Sequence, residues 1–172
     1  MSHYRRVHLP GGSYFFTVVT HERTHWFANE EHIGILRDAF RKVRAARPFE
    51  IEAIVILPDH LHCLWRLPEG DDDFSGRWRE IKKATSRRID TTLNRRGERP
   101  VWQRRFWEHA IRDDADWRAH VDYIHYNPVK HGLARHPADW PWSSFARAVS
   151  QGWYEPTWGA QEPESNVGMD LE

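Results

Sequence analysis

The chain has almost no sulfur chemistry: one cysteine, Cys63, and two methionines in 172 residues. A single thiol excludes an internal disulfide and a multi-cysteine zinc site. Long apolar runs are missing too. Nothing approaches the roughly 20 consecutive apolar residues of a membrane span, and residues 1–10 lack the apolar stretch of a secretory signal. The expectation is a cytoplasmic protein. Net charge is also absent, with 25 Lys and Arg balanced by 25 Asp and Glu. As an average this argues against a nucleic-acid partner, but the average hides an asymmetry. Residues 76–105 hold eleven Lys or Arg against Glu80, Asp90 and Glu98, while residues 151–172 hold five acids and no Lys or Arg. Opposite fields on separate segments cancel in a sum while each keeps its own reach.

What is present in excess is indole and imidazole, ten Trp and twelve His. An apolar fraction of 40% with 29% charged residues suits one globular domain, or one domain and a tail. Gly11-Gly12 signals a turn, and residues 13–20, rich in aromatic and β-branched side chains, predict a strand. Ile33, Leu36, Ala39, Phe40 and Val43 recur at helical spacing within 30–46. Residues 51–57 predict a second strand, and Pro58-Asp59 a tight turn into a third over 60–67, hence an antiparallel hairpin. A long basic helix is expected from Phe74 to about Arg95, then a short strand near the end of 101–111. Asp113 or Asp114 can cap a helix that runs to about Tyr126. Asn127-Pro128 closes it, because proline disfavours helical geometry at the residue before it. Residues 138–149 predict a last short helix, and 151–172 a loose acidic tail after a main domain of 1–150. The order strand, helix, hairpin, helix, strand, helix fits an α+β, ferredoxin-like antiparallel sheet with helices packed mainly on one face.

Three sets of residues carry candidate chemistry. On a strand, His60 and His62 share a face about 6.5 Å apart and can converge on one cation. Alone, the pair is more simply two histidines on a polar sheet face. Leu61, Cys63 and Trp65 then point to the core. Tyr123 and Asn127 are neighbours on one helical face. A phenol, with an ordinary pKa of about 10, needs a nearby cation to become a useful nucleophile. Taken singly, Tyr123 reads as a helix-face aromatic and Asn127 as a cap. The basic stretch brings Arg77, Arg79, Lys82, Lys83, Arg104 and Arg105 together with Trp78, Trp102, Phe106 and Trp107, cations for phosphates among rings for unpaired bases. A solvated helix face explains part of it.

Long, ordered motifs tie these sets together: LPDHLHCLWRLPEGDDDFSGRWREIKK (57–83), VWQRRFWEHAIRDDADWRAHVDYIHYNPVKHGL (101–133) and DWPWSSF (139–145), with YRRVHLPGGSYFFTVVT (4–20) before them. The chain resembles the REP-associated tyrosine transposases, bacterial relatives of the single-tyrosine HUH transposases of insertion sequences, over roughly residues 4–154. The resemblance implies the HUH fold, a ferredoxin-like sheet with both histidines on a central strand. It puts the HUH element on His60, Leu61 and His62, and the nucleophile on Tyr123, with Tyr126 the other tyrosine of the motif. Insertion-sequence relatives carry a metal-binding Gln four residues after the tyrosine, where this chain has Asn127.

The same resemblance implies Mg²⁺ or Mn²⁺ as cofactor and single-stranded DNA with REP-type hairpins as substrate. It implies a nucleoid-associated protein that works as a monomer or a homodimer. Arg5 and Arg6 join the basic stretch as candidate DNA contacts, and the acidic segment after Gln151 is a candidate phosphate mimic. Two readings from other classes compete. A non-catalytic binder of RRM-like fold shares the sheet topology, though the Gly-aromatic RNP1 pattern is absent. A phosphodiesterase using activated water would not need Tyr123.

Overall fold

A computed structural model describes residues 5–172; the first residue of the N-terminal motif, Tyr4, lies outside them. Four strands form one antiparallel sheet in the order β2-β3-β1-β4: β1 Ser13–Val19, β2 Glu50–Ile56, β3 His60–Arg66 and β4 Trp107–Ala110. Helices α1 (Glu30–Ala46) and α2 (Phe74–Ser86) make the two crossovers, which is the ferredoxin-like arrangement expected from the sequence. The β2–β3 turn is tight, with Leu57 N–H donating to His60 O at 2.9 Å across Pro58-Asp59.

The strand pattern explains why helices cover both faces rather than mainly one. In β1, Tyr14, Phe16 and Val18 face one side, Phe15 and Thr17 the other, and all are buried. The first side packs with Leu61, Cys63 and Trp65 of β3 against Leu36, Phe40, Phe74, Trp78 and Ile81 of α1 and α2. The second packs with Ala53, Val55 and Leu64 against a long helix α3 (Asp114–Lys130), a short α4 (Phe145–Ser150) and the chain beyond. Two apolar faces demand two covers. An RRM-like binder needs an open sheet face carrying aromatics; Phe15 of β1 is instead fully buried.

Four expectations are corrected at element ends. The basic helix α2 stops at Ser86, not near Arg95. Ile89 turns into the core, and residues 90–94 (DTTLN) are poor helix formers, leading into a turn at Gly97, whose φ is 72°. Helix α3, capped by the Asp113 side chain on Asp116 N–H, runs through Asn127-Pro128 to Lys130. Pro128 forfeits one bond in the last turn, and its carbonyl accepts from Leu133 N–H at 2.8 Å. The predicted helix over 138–149 is only α4. Residues 142–144 instead pair with the edge of β2, with Ile56 N–H donating to Trp142 O and Ser144 N–H to Ile54 O. Finally, residues 151–172 are not a loose tail. Tyr154 is buried, Asn166 donates to Ala119 O and Ser165 to Asp122 Oδ2, both on α3.

Candidate active site

His60 and His62 stand on central strand β3, almost wholly buried, with rings facing α3. Each is held by its Nδ1. Asp59 Oδ1 takes His60 Nδ1 at 2.6 Å. Thr17 Oγ1, directly across the ladder, takes His62 Nδ1 at 2.9 Å. Thr17 gives its own proton to Leu171 O, so His62 must donate. Both rings are thus anchored through Nδ1 and turn Nε2 inward, toward Glu172. Burial, opposed by the hydrogen bond to Glu172, pushes His62 down to about 4.

Tyr123 enters from α3, its ring edge-on to His62 at 5.3 Å between centroids. Its hydroxyl donates to Glu172 Oε1 at 2.9 Å and accepts from Leu171 N–H and the Lys130 ammonium. Burial, followed by the charges of Glu172 and Asp170, pushes the phenol well above its usual value. Asn127, one turn on and fully buried, brings its Nδ2 to 3.4 Å from the same Oε1, while its Oδ1 has no hydrogen-bond partner among the described residues. Tyr126 is half-buried and does not join this group.

One carboxylate thus marks the centre. Glu172 Oε1 lies 3.2 Å from His62 Nε2 and 3.1 Å from His131 Nε2; Oε2 lies 2.7 Å from His60 Nε2, outside hydrogen-bond geometry. Burial alone would raise the Glu172 carboxyl, but the imidazoles of His131, His60 and His62 outweigh it and hold it far below the usual range. Two ring nitrogens and a carboxylate converging on one point are an arrangement that suits a shared cation. The orphaned amide oxygen of Asn127 adds a third neutral donor within reach, because an amide rotation exchanges its oxygen and nitrogen. The residues fit a divalent ion with mixed nitrogen and oxygen ligands.

A second trio, His109, Asp116 and His120, also has ligand atoms within 4.8 Å of one another. There Asp116 is taken up by the backbone N–H and guanidinium of Arg112, so it serves the start of α3.

The expected DNA contacts divide. Arg77 is a correction: it is buried, bonded to Asp71 and to the carbonyls of Arg47, Pro48 and Asp73, and it ties α2 to the end of α1. Lys82 is partly committed, donating to Gln103 O, and burial lowers it to about 8. Arg6 stacks on Phe106 at 4.1 Å and donates to Ser75. Arg104 pairs with Glu98 in solvent. Arg5, Arg79, Lys83 and Arg105 are exposed. Sequence reasoning missed Thr17, Asp59, Lys130, His131 and Glu172. Thr17, Asp59 and Lys130-His131 lie inside the motifs already singled out; nothing local marks Glu172.

The family model for IS200-like transposases matches residues 10–127. A REP-associated tyrosine transposase of Escherichia coli K12 is 48% identical over 168 residues, covering 98% of this chain and 97% of that one. The chain belongs to the REP-associated tyrosine transposases. A putative member from Haemophilus influenzae is 42% identical, covering 99% of this chain and 100% of its own. A solved structure of a REP-associated tyrosine transposase bound to a REP hairpin matches with a TM-score of 0.84 at 47% identity, over 100% of this chain and 99% of that one. Membership makes this protein an enzyme of the DNA transposase class with the HUH fold. Among the described residues no helix is long and apolar enough to cross a membrane.

Proposed function

We propose that this REP-associated tyrosine transposase is a metal-dependent nuclease and strand transferase acting on single-stranded DNA that carries REP-type hairpins. The observation that supports it most is convergence: His60, His62, Asn127 and Tyr123, from a strand and a helix on opposite sides of the site, all reach one anionic group. A carboxylate there stands in for a scissile phosphate, as the acidic composition of 151–172 suggested. The catalytic unit is 1–150, and 151–172 is the segment that DNA displaces.

Mg²⁺ or Mn²⁺, held by His60, His62 and Asn127, would supply Lewis-acid polarisation of the phosphate. Asp59 and Thr17 orient the two imidazoles for that ion. Tyr123 attacks phosphorus in line, forming a 5′-phosphotyrosine and freeing a 3′-hydroxyl. Attack by that hydroxyl, or one on another strand, rejoins DNA without ATP, because the covalent link conserves the bond. Arg5, Arg6, Arg79, Lys83, Arg104 and Arg105 supply contacts along the DNA backbone, with Lys82 at their inner edge. Work on DNA would place the protein at the nucleoid.

The test is a denaturing gel of end-labelled hairpin DNA with Mn²⁺, wild type beside Tyr123→Phe. A slow, protease-sensitive band absent from the variant supports the reading. Cleavage that persists without Tyr123 sinks it in favour of activated water, and binding without cleavage points to an architectural protein.

A further inference from the structure

Lys130 stands about two turns beyond Tyr123 on the same face of α3. It occupies that place only because the helix continues through Pro128. Its ammonium donates to the Tyr123 hydroxyl at 3.0 Å and lies 4.8 Å from the centre of the phenol ring. Asp170 and Glu172 lie 3.7 and 3.8 Å from the same nitrogen. Of the three groups bonded to the phenolic oxygen, Glu172 and Leu171 belong to the 151–172 segment. Lys130 is the one carried by the tyrosine's own helix.

A phosphate that takes the place of the Glu172 carboxylate must move that segment. Tyr123 then loses its acceptor and its backbone donor, and Lys130 loses both acidic neighbours. What remains is a cation on the reacting oxygen, beside the position of the incoming anion. Resting on the nuclease reading above, we infer that Lys130 is a second catalytic residue. It holds the Tyr123 oxygen while that oxygen carries negative charge, and it binds a non-bridging oxygen of the scissile phosphate.

In the forward step the phenol loses its proton to solvent, its oxygen bonds to phosphorus, and the bond from phosphorus to the 3′-oxygen breaks. The 3′-oxygen takes up one proton, so protons balance. In the reverse step the tyrosine oxygen is the leaving group, and the same ammonium faces the same charge. Lys130 therefore assists both directions.

The experiment is single-turnover formation of the covalent adduct on hairpin DNA with Mn²⁺, in wild type and in a Glu172→Gln background. Lys130→Met is expected to slow the step about 100-fold, the scale of removing one preorganised charge from a reacting oxygen. DNA affinity and Mn²⁺ affinity should change less than about threefold. Strand rejoining from the preformed adduct should slow by a similar factor. Lys130→Arg should retain most of the rate. Lys130→Cys should be slow until aminoethylated, which restores an ammonium of the same reach; Cys63 is fully buried and escapes that reagent. A purely structural lysine would not respond to that rescue. Wild-type rates in Lys130→Met, while Tyr123→Phe still abolishes the adduct, overturn this inference and leave the nuclease reading standing. An adduct that survives Tyr123→Phe overturns both.

Discussion

Replacing Glu172 with Gln keeps the shape of the group at the centre of the site and removes its charge. The carboxylate accepts from Tyr123 Oη at 2.9 Å and lies 3.1 Å from His131 Nε2, and its side chain is 17% exposed. A hydrogen bond to a charged group contributes about 1.5–3 kcal/mol and a neutral one about 0.5–1.5. Losing the charge at these two shortest of its four hydrogen bonds among the described residues alone weakens the closed arrangement by about 2–3 kcal/mol, or roughly 30–150-fold in the ratio of closed to open molecules. If DNA engages only the open form, as proposed, its apparent affinity carries that ratio as a discount. The rate of adduct formation at sub-saturating hairpin DNA should rise by up to that factor in Glu172→Gln. The assay is quenched-flow or manual sampling of the covalent band at fixed Mn²⁺. An unchanged rate would show that the carboxylate does not compete with phosphate. A slower rate would mean that it assists the reaction as a ligand instead of competing with the phosphate.

Thr17→Val removes the acceptor that fixes His62 Nδ1 and should weaken Mn²⁺ binding about 10-fold, read by calorimetry, with little loss of fold. Arg77→Ala should lower stability by about 3 kcal/mol in denaturant unfolding, because it strands a buried network, yet leave the salt dependence of DNA binding unchanged. If the salt slope falls instead, Arg77 touches phosphate after all. Burial, helped by Arg147 and Arg118, pushes His125 down to about 3. The unfolded chain takes up that proton near pH 6.5 and the folded chain does not. Stability is therefore full above about pH 6.5 and falls by at most ~1.4 kcal/mol per pH unit from this group as pH drops toward 3. A melting temperature that is flat between pH 6.5 and 4 contradicts it.

The pairing of His60 with His62, the inward course of Leu61, Cys63 and Trp65, and the β2–β3 hairpin were legible because strand period and hairpin spacing are local properties. The exposed cations were legible as composition, but Arg77 was not separable from its neighbours, since burial depends on what α1 brings against α2. Lys130 was hidden by a local rule. Proline ends most helices, and here the last turn tolerates it because the Pro128 carbonyl finds Leu133. Thr17 reaches His62 only through strand register, and Glu172 reaches Tyr123 across 49 positions of sequence. The sequence by itself determined the residue types, their faces and the family. The tertiary structure alone decided which groups share one point, because long-range convergence depends on packing two apolar sheet faces against separate covers.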